Sequence, residues 1–138
     1  MGIMATASYS LQGNPFDHAV LPDGWRASAD PHALPDSSSS QLTVCLTDVR
    51  QRGSAIGRCT WTYSTSDIYP ATYAFTFYET RTGRTVRVVH IDSDLLPAEE
   101  SCSGDSSYRG PIPPDRAQGV RTATLIDALR PLMTSAAR

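Results

Sequence analysis

The segment Thr72–Ser93, TYAFTFYETRTGRTVRVVHIDS, has the pattern of a β-hairpin in which both strands and the turn are present. Its first half alternates larger aromatic with smaller residues, which places Tyr73, Phe75 and Phe77 on one face of a strand. Its second half, Thr85–Ile91, is rich in the β-branched residues that favour strands. The pattern therefore predicts two antiparallel strands that share one aromatic face.

The register of this hairpin is predicted from its turn. Gly83 supplies the positive φ that a tight turn requires. If Glu79 lies opposite Arg84, their opposite charges close the turn. The same register predicts the following pairs along the strands: Phe77 with Val86, Phe75 with Val88 and Tyr73 with His90.

Composition limits the class of protein. A chain of 138 residues fits one domain, and its net charge of −2, with a pI near 5.8, disfavours a nucleic-acid partner. All 12 basic residues are arginine, which fits a GC-rich coding sequence.

We expect no membrane span, because no apolar run reaches about 18 residues. Residues 1–7 do not form an intact signal peptide, and a removed upstream signal or anchor is compatible with the chain.

The chain divides into an arm and a domain. Residues 1–40 hold four prolines and end in the serine run 37–40, so we expect a mostly irregular N-terminal arm. Within that arm, Phe16–Trp25 has enough apolar residues to dock on a core. Residues 41–138 are expected to form a single β-rich domain.

A second hairpin is predicted upstream of the first. Gln41–Val49 and Ile56–Tyr63 both alternate apolar and polar residues, and a loop containing glycine joins them. Folding about this loop places Cys45 opposite Cys59. Residues 64–71 are predicted to be a turn-rich connection to the aromatic hairpin.

Three cysteines, Cys45, Cys59 and Cys102, are the disulfide candidates. Their spacing does not match a zinc site, and three cysteines in a small chain favour one bridge and one free thiol in an oxidising compartment. The second hairpin favours Cys45 with Cys59, whereas either of these with Cys102 ties the 97–110 loop to the sheet. The alternative is three reduced thiols in a cytosolic protein.

The C-terminal region predicts a helix over about 115–136. Leu125, Leu129 and Leu132 recur at helical spacing, and either Asp115 or Thr122 is a candidate N-cap. Proline at position 131 is expected to end or kink the helix. Together the elements predict a mainly β (α+β) fold: antiparallel hairpins that form a twisted sheet or small sandwich, with one C-terminal helix.

Candidate chemistry is sparse. His90, Asp92 and Asp94 occupy alternate positions and form the one cluster that resembles a catalytic or metal-binding set. The Asp-Ser-Asp segment is also a common strand ending, and no nucleophile, phosphate-loop or zinc motif occurs. We therefore assign no catalytic, cofactor or metal residue. The hairpin tip, Arg81, Thr82, Gly83 and Arg84, is a candidate recognition loop.

The chain resembles one group of proteins. Tyr73–Val89, with its aromatic strand and its tip Glu79–Arg84, followed by Cys102 and the closing Leu129–Leu132, is similar to uncharacterised extracytoplasmic domains of high-GC Gram-positive bacteria. The resemblance covers roughly residues 42–133 and implies a fold class and a location, with no chemistry. The chain departs from it by lacking a lipobox or membrane segment.

We therefore expect a non-enzymatic sensing or partner-binding domain of a secreted or membrane-anchored bacterial protein, whose partner is a protein or a small extracellular ligand. Two alternatives remain. One is a small enzyme centred on His90, Asp92 and Asp94. The other is a cytosolic accessory or assembly protein that binds partners by strand addition at its sheet edges.

Overall fold

The computed structural model describes residues 2–3, 11, 13, 15–17, 22, 42–61, 64–102 and 115–136. The predictions for Trp25, for the serine run 37–40 and for residues 103–110 lie outside these ranges. The described elements are, in chain order: β1 Gly2–Ile3, a 3-10 turn Pro15–Asp17, β2 Leu42–Gln51, β3 Gly57–Thr60, β4 Thr65–Tyr69, β5 Ala71–Glu79, β6 Thr85–Asp92, a 3-10 turn Ala98–Ser101, β7 Arg116–Ala117 and α1 Thr122–Ala136.

These strands form two sheets in the described part of the chain. The first has the order β1-β2-β5-β6, in which β2, β5 and β6 run antiparallel and β1 pairs parallel with β2. The second has the order β3-β4-β7, with β3 and β4 antiparallel and β7 parallel to β4. The predicted mainly β fold with a C-terminal helix is confirmed.

The main core lies on one face of the four-stranded sheet. The aromatic face of β5 is fully buried, as its alternating pattern predicts: Tyr73, Phe75 and Phe77 are each 0% exposed. β2 places an apolar residue opposite each of them: Val49 with Tyr73, Leu46 with Phe75 and Val44 with Phe77. Such pairs join two strands because both apolar side chains leave water together.

Helix α1 covers this core with its leucine stripe. Leu125 and Leu129 are fully buried and Leu132 nearly so, in the same cluster as the aromatic residues of β5. The helix begins at Thr122 instead of near residue 115, because Arg116–Ala117 pairs with β4. It also continues past Pro131 to Ala136, so that proline does not end it.

The N-terminal arm takes part in the fold. Gly2–Ile3 adds a short parallel strand beside β2, and Leu11 and Phe16 are buried in the main core. The Phe16 ring meets the Phe75 ring edge to face, with 5.0 Å between the centroids. The predicted docking of the Phe16 region is therefore confirmed for Phe16 itself.

The predicted hairpin between residues 41 and 63 is wrong. β2 pairs with β5 over its whole length, and β3 belongs to the other sheet. Cys45 accordingly lies opposite Thr76 and not opposite Cys59. The reason is length and apolar content: the ten-residue β2 matches the aromatic face of β5, whereas β3 has four residues.

The prediction of a turn-rich connection over residues 64–71 is also wrong. Thr65–Tyr69 is strand β4, which pairs with β3. Its alternate residues Ser66 and Ile68 are 3% and 0% exposed, so this polar segment has one buried face. Pro70 separates β4 from β5, so the chain passes at this residue from the three-stranded sheet to the four-stranded sheet.

The register of the aromatic hairpin is correct at the turn and wrong beyond it. Glu79 N donates to Arg84 O at 2.8 Å, as predicted. A bulge then places Arg87 opposite Phe77, and the other two pairs become Phe75 with Val89 and Tyr73 with Ile91. The extra residue is Val86. The shift brings Ile91 into the core and keeps the polar His90 ring away from the buried Tyr73.

Candidate partner-binding surface

The tip of the hairpin is held in one shape by its own hydrogen bonds. Gly83 has φ of 74°, a value that only glycine adopts easily, and its N–H donates to Glu79 O at 2.8 Å. The Glu79 carboxylate accepts from Thr82 Oγ1 at 3.0 Å and from the Arg84 guanidinium at 3.2 Å. The predicted recognition loop is thus exposed and also preorganised, which lowers the entropy cost of binding.

Strand β6 is the outer strand of the four-stranded sheet. It pairs with β5, and no described strand pairs with its other side. Val86 and Val88 are 45% and 47% exposed on this strand, whereas Ile91 is buried. Edge strands present unpaired backbone groups, so proteins usually cover them or give them charged residues. Two half-exposed valines on an edge are therefore a candidate contact surface.

The described arginines divide into three groups by their partners. Arg116 donates to Ser101 O at 3.0 Å. Arg81 and Arg87 are exposed and form no ion pair with any described residue. The other described arginines have carboxylate partners: Arg50 with Asp48, Arg52 with Asp92, Arg58 with Asp67, Arg84 with Glu79, Arg121 with Asp94 and Arg130 with Asp127.

Arg81 and Arg87, which form no ion pair with any described residue, lie on the same hairpin as the two exposed valines. We call Arg81, Val86, Arg87 and Val88 the edge surface. Arg87 lies opposite Phe77, on the core side of the sheet, and Val88 lies opposite Thr76, on the other side. The edge surface therefore combines apolar area with positive charge that the described carboxylates leave unmatched.

The predicted polar cluster is divided by the fold. His90 and Asp92 are exposed on β6, where Asp92 accepts from Thr72 Oγ1 at 2.6 Å. Asp94 lies beyond the strand and accepts from the backbone N–H of Arg121, next to the start of α1. Among the described residues, no three histidine, cysteine or acidic side chains are placed to hold a metal ion.

Asp94 joins the end of the hairpin to the helix. Its carboxylate accepts from Arg121 N at 2.8 Å, from Arg121 Nε at 3.1 Å and from the Thr124 hydroxyl. Burial acts to raise the pKa of Asp94, but the hydrogen bonds from Thr124 and Arg121, with the positive charge of Arg121, outweigh it and hold the pKa below its usual value. Asp94 is thus a stabilising contact at a helix N-terminus.

A buried polar network that the sequence does not signal lies beside this contact. Ser93 Oγ accepts from Ala71 N at 2.9 Å and donates to Gln118 Oε1 at 2.8 Å. Gln118 Nε2 donates to Leu95 O, and Tyr73 OH donates to Gln118 O at 2.6 Å. Burial raises the pKa of the Tyr73 hydroxyl, which therefore stays a donor. These bonds satisfy buried groups and fasten β5 to the segment before α1.

One of the three possible disulfides is present. Cys59 on β3 bonds to Cys102, with 5.6 Å between their Cα atoms, and Cys45 is a buried free thiol. The bridge ties the loop after β6 to the small sheet, which is the second arrangement considered above. Cys59 also packs with Trp61, Ile68 and Ala98 in a small core of its own.

The remaining observations concern similarity and membrane contact. Comparison with protein-family models, curated proteins and solved structures finds no match to this chain. Within the described residues, no helix has the length and apolar character needed to cross a lipid bilayer. The surface geometry and the disulfide are therefore the observations on which a functional argument rests.

Sequence reasoning finds the tip of this site but misses its edge. The incorrect hairpin register assigns Val86 and Val88 to the core, so their exposure is not expected. The same predicted register places Arg87 on the face away from the core, whereas the bulge places it opposite Phe77. The exposure of Val86 and Val88 follows only from the bulge at Val86, whereas Arg81 belongs to the tip that the sequence already indicates.

Proposed function

We propose that this chain is a non-enzymatic partner-binding domain that works outside the cytoplasm, as part of a secreted or membrane-anchored bacterial protein. The observation that carries the binding role is the exposure of Val86 and Val88 on the edge strand β6. Covering the exposed half of each side chain would contribute about 1 kcal/mol. The preorganised tip beside them adds a fixed contact point.

The disulfide supports the compartment in this proposal. Disulfides persist in secreted and extracellular proteins and are rare in the reducing cytosol. The Cys59–Cys102 bridge closes a separation of 43 residues, for which the chain-entropy model predicts roughly 4 kcal/mol of stabilisation. A small core that depends on this bond is suited to an oxidising compartment.

Thiol trapping in living cells tests the compartment. Cells of the source organism are quenched with acid, the protein is denatured in the presence of an alkylating reagent so that buried thiols react, and its mass is measured by mass spectrometry. We expect one label, on Cys45, because the other two cysteines are joined. Labels on all three cysteines would place the protein in a reducing compartment and contradict the proposal.

Site-specific photocrosslinking in the same cells tests the binding role. A benzophenone amino acid replaces Val88 in one strain and Thr60 on β3 in the control strain, since both positions are exposed. We expect a covalent adduct of defined mass from position 88, competed by the unmodified protein, and none from position 60. Equal labelling at the two positions, or none at 88, would contradict a partner at the edge surface.

A further inference from the structure

We propose that the partner presents an extended segment in which acidic and apolar residues alternate, and that this segment adds to the sheet as a new strand beside β6. This inference rests on the proposed function and names the chemistry of its partner. It is carried by the alternation of Arg87 and Val88 on the two sides of the edge strand. Strand addition uses backbone hydrogen bonds for affinity and alternate side chains for specificity.

The positive charge of the edge surface favours acidic residues in the partner segment. Arg81 and Arg87 are exposed and have no carboxylate partner among the described residues, whereas Arg84 is already paired with Glu79. A carboxylate on the core side of the added strand would lie beside Arg87, and arginine binds carboxylates through two parallel hydrogen bonds. Arg81 provides a second positive charge, at the hairpin tip.

The exposed apolar area of the edge surface favours apolar residues between the acidic residues of the partner segment. Val88 points to the side opposite Arg87 and is 47% exposed. Because successive side chains of a strand alternate between its two faces, an added strand that places an acid beside Arg87 places its next residue beside Val88. A partner segment that buries this valine therefore carries an apolar residue at every second position.

A second copy of β6 does not meet these requirements. In an antiparallel pair, residues directly opposite each other lie on the same face. The residues of β6 that share the face of Arg87 are Val89 and Ile91, so a second β6 offers Arg87 no acid. A polyanion such as a nucleic acid would match the arginines but leave the valines uncovered.

The bulge and the strand end limit the length of the added segment. The regular pairing of β6 with β5 runs from Arg87 to Asp92, after the bulge at Val86. Asp92 carries a negative charge at the far end, where Arg52 approaches it at 3.8 Å. The acidic residues of the partner are thus expected at the Arg81 and Arg87 end of the edge.

Titration with defined peptides tests the inference. A short capped peptide that alternates glutamate with valine is added to 15N-labelled protein, and amide shifts are followed by NMR. A peptide that alternates lysine with valine, and a valine-free polyglutamate of equal length, serve as controls. We expect shifts over Thr85–Asp92, and binding at least about tenfold tighter than that of either control, which corresponds to about 1.4 kcal/mol.

Matched charge variants locate the binding. The double variant Arg81→Glu and Arg87→Glu is expected to lose about tenfold or more in affinity for the glutamate–valine peptide. The control double variant, Arg50→Glu and Arg58→Glu, makes the same change in net charge at two exposed sites away from β6 and should retain the affinity within about twofold. The peptide inference is overturned by equal losses in the two variants, by shifts centred on β3, by equal binding of polyglutamate, or by no binding.

The two proposals fail in different ways. An adduct at position 88 without peptide binding would leave the partner-binding function standing and remove its acidic, extended partner. Peptide binding without any adduct in cells would support the proposed ligand preference of the edge surface. It would contradict the proposal that a partner binds this surface in cells. An adduct whose mass is twice that of the chain would assign the edge to a second copy and overturn the peptide inference.

Discussion

The two sheets of this protein are held by different forces. The core beneath the four-stranded sheet contains 16 buried apolar residues among the described ones, drawn from the N-terminal arm, β2, β5, β6, α1 and residues 117 and 120 before this helix. The core beneath the three-stranded sheet contains four, Cys59, Trp61, Ile68 and Ala98. The first core is large enough to hold its sheet by packing. The second has little apolar area and carries the disulfide.

This difference indicates how a small domain distributes its stability. Burial contributes about 25 cal/mol per Å² of apolar surface, so a core of four residues contributes far less than one of 16. The bridge between Cys59 and Cys102 compensates by limiting the unfolded chain. We therefore expect the large sheet to unfold as the global unit and the small sheet to open separately when the bridge is broken.

The largest expected effect is in the large core. Phe75→Ala removes a ring that is fully buried and contacts Phe16, so we expect a loss of roughly 4 kcal/mol in the free energy of unfolding. Urea denaturation followed by circular dichroism measures it. The matched control on the same hairpin is Val86→Ala, whose side chain is half exposed and should cost less than about 0.5 kcal/mol. Similar losses in both variants would show that the ring does not anchor the large core.

The second effect is confined to the small sheet. Replacing both Cys59 and Cys102 by alanine is expected to cost about 3 kcal/mol in local stability, less than the roughly 4 kcal/mol for the whole closed loop, because β5 and β6 within that loop stay folded. Hydrogen exchange should then rise across Gly57–Thr60 and residues 65–68 while the amides of residues 73–77 stay protected. The reason is that the two groups of residues belong to separate cores.

The control for this experiment is the third cysteine. Cys45→Ala changes a buried free thiol in the large sheet and leaves the bridge intact. We expect it to leave exchange in β3 and β4 unchanged. If the bridge variant instead exposes both sheets together, the molecule has one cooperative core and the comparison between the sheets is wrong.

The alternation within a strand of this fold can be predicted from the sequence alone, whereas the pairing of distant strands cannot. The period-two pattern of Tyr73, Phe75 and Phe77 correctly identifies a buried strand face, because alternation is a local property. Strand pairing is not local: β2 skips its neighbour in sequence and pairs with β5. The length and apolar content of residues 41–63 do not by themselves signal that choice, since it depends on the combined burial of two distant segments.

The candidate site illustrates the same limit on a smaller scale. The tip is predictable because Glu79, Gly83 and Arg84 interact within one turn. The edge surface is not, because one bulged residue, Val86, moves the following side chains to the other face. The disulfide partner of Cys59 depends on the same long-range geometry, so composition predicts that a bridge exists but not which one.

The smallest expected effect is at the junction of the hairpin and the helix. Asp94→Asn weakens the hydrogen bonds and charge contact with Arg121, and we expect a loss of about 1 kcal/mol at neutral pH. Because the folded-state pKa of Asp94 lies below its usual value, its contribution is complete above about pH 4 and is lost as the pH falls through the folded pKa. The difference between variant and parent, measured by urea denaturation, should therefore shrink as the pH falls below about 4. Asp127→Asn, an exposed substitution on the same helix, should change the free energy of unfolding by less than about 0.5 kcal/mol at neutral pH. A difference for Asp94→Asn that stays constant with pH would mean that the charge of Asp94 does not stabilise the start of α1.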